Sequence, residues 1–139
     1  MHTTFRIRTA GPGLTEVTGE VARWLSGADD GAVVLMVRHT SASILIQENA
    51  DPDVQTDLLA WLQRIAPSAD DPSMHYLRHR AEGPDDMPAH LKAAVLPTSL
   101  HIPVLGGQMR LGTWQGIFLV EHRAQPHQRE IAAQFLAAG

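Results

Sequence analysis

The chain of 139 residues contains no cysteine. That absence removes disulfides, thiolate nucleophiles and cysteine-ligated zinc together, and it agrees with a reducing compartment. Any metal must be held by histidine and carboxylate. Basic charge is not in excess either: 11 Lys and Arg stand against 15 Asp and Glu, a formal net charge of -4. Nucleic acid and anionic membranes, which call for a basic face, are disfavoured as partners. No apolar run approaches the ~20 residues of a spanning helix, and the opening MHTTFRIRTAGPG lacks the apolar centre of a signal peptide. The expectation is a cytoplasmic protein. Aromatic residues make up only 5% of the chain within an apolar content of 44%, so composition says nothing about assembly. Internal repeats and low-complexity segments are missing, and the length fits one ordinary domain spanning residues 1–139.

Histidine, by contrast, is plentiful, with eight at positions 2, 39, 75, 79, 90, 101, 122 and 127. A single histidine is more often packed or solvated than functional. Their positions in the predicted elements therefore matter. TFRIRT (4–9) alternates as a half-buried strand and GPG (11–13) ends it. TGEVARWLSG (18–27) reads as a short helix with Thr18 at its N-cap and Gly27 beyond its end. AVVLMV (32–37) is continuously apolar, as suits a strand covered on both faces, and ASILI (42–46) is the next strand. Asp51-Pro52 opens a helix with Val54, Leu58, Trp61, Leu62 and Ile65 on one stripe, stopped by Pro67. Residues 67–86 are polar and too long for a routine connection, which marks a disordered or functional loop. A further helix at 87–96 precedes strands in SLHIPV, QMRL and WQGIFLV. The last twelve residues, QREIAAQFLAAG, fit a strand or a helix, with the balance towards a strand. The sum is an α+β chain of about seven mostly antiparallel strands, as a sheet pair or sandwich, with two to three helices.

On a strand, His122 shares a face with Trp114, Phe118 and Val120, while Glu121 and Arg123 share the other with Ile117 and Leu119. His122 thus ends an apolar surface in which Trp114 is expected to pack. His90 lies in the first turn of its helix, where the dipole favours a neutral, ligating ring. His75 and His79 are four apart but lack the glutamate of H-E-x-x-H. HTSAS has no strained nucleophile elbow, and the glycine-rich stretches have no P-loop spacing. Asp70-Asp71 and Asp85-Asp86 read as solvated loop acids.

Four stretches, HTSASILIQENADPDVQTDL (39–58), HRAEGPDDMPAHLK (79–92), TSLHIPV (98–104) and LGTWQGIFLVEHR (111–123), together resemble the YjbQ-like family. Members of that family carry secondary thiamine-phosphate synthase activity. The resemblance implies a homotrimer with an imidazole-lined, metal-holding pocket near a subunit boundary. Its motif histidines fall on His39, His79, His90 and His122, and its acidic positions on Glu48, Asp51, Glu82, Asp86 and Glu121. Gln47 stands where the family more often has asparagine. The site this implies holds a divalent metal, zinc by preference, on His79, His90 and His122. His39, Glu82, Glu121 and Arg123 are then the expected catalytic groups. Thr40, Ser41, Asn49, Asp51, Lys92 and Trp114 are the expected contacts to a small phosphorylated metabolite. The implied reaction joins hydroxymethylpyrimidine diphosphate to a thiazole phosphate; the alternatives are metal-dependent hydrolysis or simple binding of such a metabolite.

Overall fold

The computed structural model describes residues 1–139. In chain order the elements are β1 (His2–Thr9), β2 (Gly13–Glu16), α1 (Thr18–Trp24), β3 (Gly31–Val37), β4 (Ala42–Glu48), α2 (Pro52–Ile65), a 3-10 turn (Pro72–Met74), α3 (Asp86–Val95), β5 (Ser99–Leu105), β6 (Gln108–Met109), β7 (Gln115–Glu121) and β8 (His127–Ala137). The strands form a five-stranded sheet, β1-β8-β3-β5-β6, and a three-stranded sheet, β2-β7-β4, and every pairing is antiparallel. This is the α+β sheet pair that the pattern of elements implies.

The ambiguous last stretch is a strand, and a long one. Arg129, Ile131, Ala133 and Phe135 alternate inward along β8, which lies between β1 and β3. Pairing on both edges overrides the helix-forming alanines. The extra strand beyond the seven expected is β2, four residues that pair Gly13 with Glu121 and Glu16 with Phe118. A segment so short carries no readable alternation. QMRL contracts to two paired residues, joined to β5 by Gly106 and Gly107 at φ of 60° and 76°. Only glycine takes two such angles in succession at little cost, and the hairpin uses both.

The inner faces of the two sheets meet around Val33, Leu35, Ile44, Ile117, Leu119 and Ile131, with Val17, Val21 and Leu25 of the α1 region inserted among them. On the other side of the small sheet, α2 packs Leu62 on Leu45 and Val120. β7 is therefore buried on both faces, as a continuous apolar run predicts. For β3 the same expectation fails. Val33, Leu35 and Val37 are buried, but Met36 is 46% exposed, because nothing within the chain covers the outer face of the large sheet.

Two further expectations are corrected. Thr18 does not cap α1: its Oγ1 accepts from Ile117 N and donates to Glu16 Oε2, both at 2.8 Å, tying the helix to β7. Asp51 does cap α2, accepting from Asp53 N at 2.9 Å, but Trp61 and Ile65 at the far end of the stripe are exposed. The long loop is ordered by its own small core of Ala69, Met74 and Leu77 against Met87 and Leu91. The Arg80 guanidinium gathers it further by donating to the carbonyls of Leu77, Ala69 and Met74.

Trp114 lies outside the core altogether, 63% exposed in the turn before β7. Trp114→Ala is expected to shift stability by less than about 1 kcal/mol, as surface changes do, not by the ~3–5 kcal/mol of a buried tryptophan. Urea midpoints of the two proteins measure the difference, and a loss above ~2 kcal/mol would place Trp114 in packing.

Candidate metal centre

α3 sets Asp86 and His90 one helical turn apart on a single face. The ordered loop brings His79 to meet them. His79 Nε2 lies 2.7 Å from Asp86 Oδ2, and His90 Nε2 lies 3.3 Å from the same oxygen. The three ligand atoms all fall within 4.8 Å of one another.

His90 Nδ1 donates to the carbonyl of Thr40 at 2.8 Å. A carbonyl only accepts, so Nδ1 carries a proton, and when the ring holds no second proton its lone pair is on Nε2. That lone pair faces a carboxylate oxygen. Two lone pairs at this distance repel unless a proton or a metal cation lies between them.

Asp86 is 1% exposed. Burial works to raise its pKa, but the hydrogen bond with His79 and the charges of His90 and Arg123 outweigh it and hold the carboxyl below its usual range. Arg123 reaches from the end of β7 and clamps the start of α3. Its Nη1 is 2.9 Å from Asp86 Oδ1, its Nε donates to Asp85 Oδ2 at 2.9 Å, and its Nη2 donates to the Glu82 carbonyl at 3.0 Å. Two imidazole nitrogens and one carboxylate oxygen are a donor set that zinc accepts, with coordination positions left over for water or substrate. The residues present fit a divalent ion.

Of the trio expected from the sequence, only His79 and His90 come together, and Asp86 is the third member. His122 is turned elsewhere. Its ring is buried at 4% exposure with Nε2 2.8 Å from Ser43 Oγ. Burial first, and then the nearby charge of Lys92, push its pKa down to about 4. A folded ring that titrates near 4, against 6.5 for a free one, leaves the unfolded chain binding a proton that the native state refuses. Stability is then complete above pH ~6.5 and declines as pH falls from there towards 4, by about 3 kcal/mol at most. His122→Gln should flatten that slope. Parallel slopes in urea titrations of the two proteins would refute the assignment.

The Glu121 carboxylate meets none of the imidazoles of His79, His90 and His122; the nearest ring is that of His127, with Nδ1 at 3.9 Å. The Glu121 carboxylate lies buried between the sheets, where it accepts from Thr9 Oγ1, from Arg129 Nε at 2.8 Å and Arg129 Nη2, and from the backbone N–H groups of His122 and Arg123 at 3.0 and 3.1 Å. Arg129 Nη2 also donates to Ser41 O and Oγ. Burial would raise the Glu121 pKa, but these donors, the guanidinium foremost, bring it below the ordinary value. His39 is fixed by accepting from Glu130 N at 2.8 Å, and burial followed by the charge of Arg129 lowers its pKa. The Glu82 side chain is two-thirds exposed, and Asn49 donates to Glu16. Lys92 is buried on the other side of α3, donating to Gln63 Oε1 at 3.2 Å.

The residues that sequence reading left out of the site are Asp86, Asp85, Ser43 and Arg129. Asp85-Asp86 is not a pair of solvated acids. The i, i+4 spacing of Asp86 and His90 was the available signal, together with its place among the acidic motif positions. Nothing local announces Arg129.

Two antiparallel sheets and a His–Asp–His cluster at the start of one helix make this an α+β protein with a candidate metal centre. The chain belongs to the UPF0047 YjbQ-like family, whose model matches residues 3–138. It is 54% identical to the UPF0047 protein sll1880 of Synechocystis over 76% of this chain and 69% of that protein. The UPF0047 protein YjbQ of Salmonella typhimurium is 42% identical, over 84% and 83% of the two chains. Among solved structures, the conserved hypothetical protein TT1486 from Thermus thermophilus matches with a TM-score of 0.84 and 34% identity, covering 96% of this chain and 99% of its own.

Proposed function

We propose that the chain is a metal-assisted transferase of the secondary thiamine-phosphate synthase type. It joins hydroxymethylpyrimidine diphosphate to a thiazole phosphate and releases pyrophosphate. The observation that carries this reading is the convergence of one ligand atom each from His79, Asp86 and His90, all within 4.8 Å of one another around a buried carboxylate. The reaction class comes from the family resemblance.

In the reaction the thiazole nitrogen bonds to the methylene carbon of the pyrimidine while the carbon–oxygen bond to the diphosphate breaks. The electron pair leaves with pyrophosphate. A bound divalent ion, zinc by its match to the donor set, supplies positive charge to the departing oxygens. His79, His90 and Asp86 are the residues to hold it. Thr40 fixes the tautomer of His90 through its carbonyl, and Arg123 keeps Asp86 ionised and aimed. Arg123 is committed to Asp85, Asp86 and the Glu82 carbonyl, so it positions the centre and does not meet the diphosphate.

The second reading, metal-dependent hydrolysis of a small phosphorylated metabolite, draws on the side chain of His79, which is 48% exposed and leaves the centre open to water. One experiment divides them. Freshly purified protein is analysed for metals by mass spectrometry, then given both thiamine precursors or a panel of phosphate esters. Thiamine phosphate formed only with metal supports the transferase; phosphate release from an ester with no thiamine phosphate supports the hydrolase; neither product overturns both.

The assembly that accompanies this reading is a homotrimer in the cytoplasm. The open outer face of the large sheet, with Val34, Met36, Ala132 and Leu136, is the surface for copies to share. No helix is long and apolar enough to cross a membrane. Sedimentation at one or two multiples of 15.2 kDa would count against the trimer.

A further inference from the structure

α3 has a second functional-looking side. At 3.6 residues per turn, Pro88 and Lys92 project roughly opposite to Asp86 and His90. There they close a cavity of ≈ 220 Å³ whose polar lining is Gln63, Ser68, Asp85, Lys92 and His122.

Lys92 is 8% exposed, yet its only hydrogen bond is to the neutral amide oxygen of Gln63, and it has no salt bridge. A buried ammonium is normally paired with an anion. Asp85, the one carboxylate in the wall, has its Oδ2 taken by Arg123 Nε at 2.9 Å and Ala124 N at 2.8 Å, and its charge acts on Lys92 only from beyond salt-bridge distance. Two of the three ammonium N–H donors are thus left over. His122 contributes another. Its Nε2 pairs with Ser43 Oγ, and its Nδ1, which makes no hydrogen bond within the chain and is not sealed from solvent, is a donor whenever the hydroxyl gives its proton to Nε2. Ser68 Oγ accepts from Asp70 N at 3.2 Å and keeps its own proton free to donate.

With Asp85 set against Arg123, the spare donors and an ammonium in no salt bridge suit this wall to negative oxygen. The cavity's volume lies below the ~300 Å³ at which pockets take whole drug-sized molecules.

We propose that this cavity binds a compact oxyanion, either inorganic phosphate or the phosphate group of a small ester, on Lys92, His122 and Ser68. The assignment uses no part of the metal reading. It places an anion site and a cation site back to back across one helix.

The test is an amide-shift titration of the full chain with inorganic phosphate and, separately, glycerol phosphate, both in the presence of a chelator. Saturable shifts confined to residues 63–68, 85–92 and 122–124 are expected. Lys92→Met should weaken binding at least roughly tenfold, the loss of one charge-assisted hydrogen bond. Tighter binding of the ester identifies the phosphate group of a larger ligand, and equal binding identifies the free anion. If Lys92→Met does not fold, Ser68→Ala at the cavity mouth should still weaken binding measurably. Absence of saturable shifts in the chelator-treated protein, or unchanged affinity in the variants, would each overturn the proposal.

Discussion

A Glu121→Gln protein melts roughly 10 °C or more below the parent, because the substitution keeps the side chain's shape but removes the only carboxylate paired with Arg129. Both groups are buried, at 2% and 3% exposure. Removing one partner of such a pair costs about 3–5 kcal/mol, most of it the burden of a charge left in a dry site. Glu121 also holds Thr9 and two backbone N–H groups, so the loss spreads to the ends of β1 and β7. Replacing both members, Glu121→Leu with Arg129→Met, should recover much of the stability, since apolar substitutes for a buried pair are often neutral. Calorimetry on the three proteins checks this. A Glu121→Gln melting point within two or three degrees of the parent would remove Glu121 from the architecture.

Asp86→Asn should do the reverse: less to the melting point than Glu121→Gln, because Arg123 keeps Asp85 as a partner, and much to the metal and to any activity that needs it. Asparagine fills the same space and can still meet His79 and Arg123, but the charge that draws a cation to His90 Nε2 is gone. Changes in the groups that merely orient ligands weaken metal affinity ~10–100-fold, and loss of a ligand charge should exceed ~100-fold. Glu82→Ala is the comparison, because only its carbonyl engages Arg123 closely. Stoichiometric metal in the Asp86→Asn protein would show that the centre lies elsewhere.

These two variants also mark where the sequence could be read and where it could not. The parity of β7 was legible: Ile117, Leu119 and Glu121 do face the sheet pair, and Phe118, Val120 and His122 the helices. Helix α2 was legible from Asp51-Pro52. What sits beside an end was not. Arg129 follows Glu121 by eight residues, on a strand of the other sheet, and no local period connects them. Asp86 looked solvated because its burial is made by Arg123, 37 positions away in the sequence. Trp114 looked packed because parity tells which face a residue takes, while the strand begins only at Gln115. Periodicity reports the element, and the site is made of contacts between elements.

The placement of β8 has a consequence for how the molecule comes to be. The last strand in chain order fills the gap between the first and the third, and Thr9 Oγ1 meets the carbonyl of His127 across 118 positions. Until β8 emerges from the ribosome, β1 has no neighbour in its sheet, β3 presents an unpaired edge, and Arg129 is not there to meet Glu121. The large sheet therefore closes only after synthesis has passed β8, and its closure carries the entropy of a very long loop. Topologies dominated by such distant pairings fold in milliseconds to seconds, far more slowly than helical bundles of the same size.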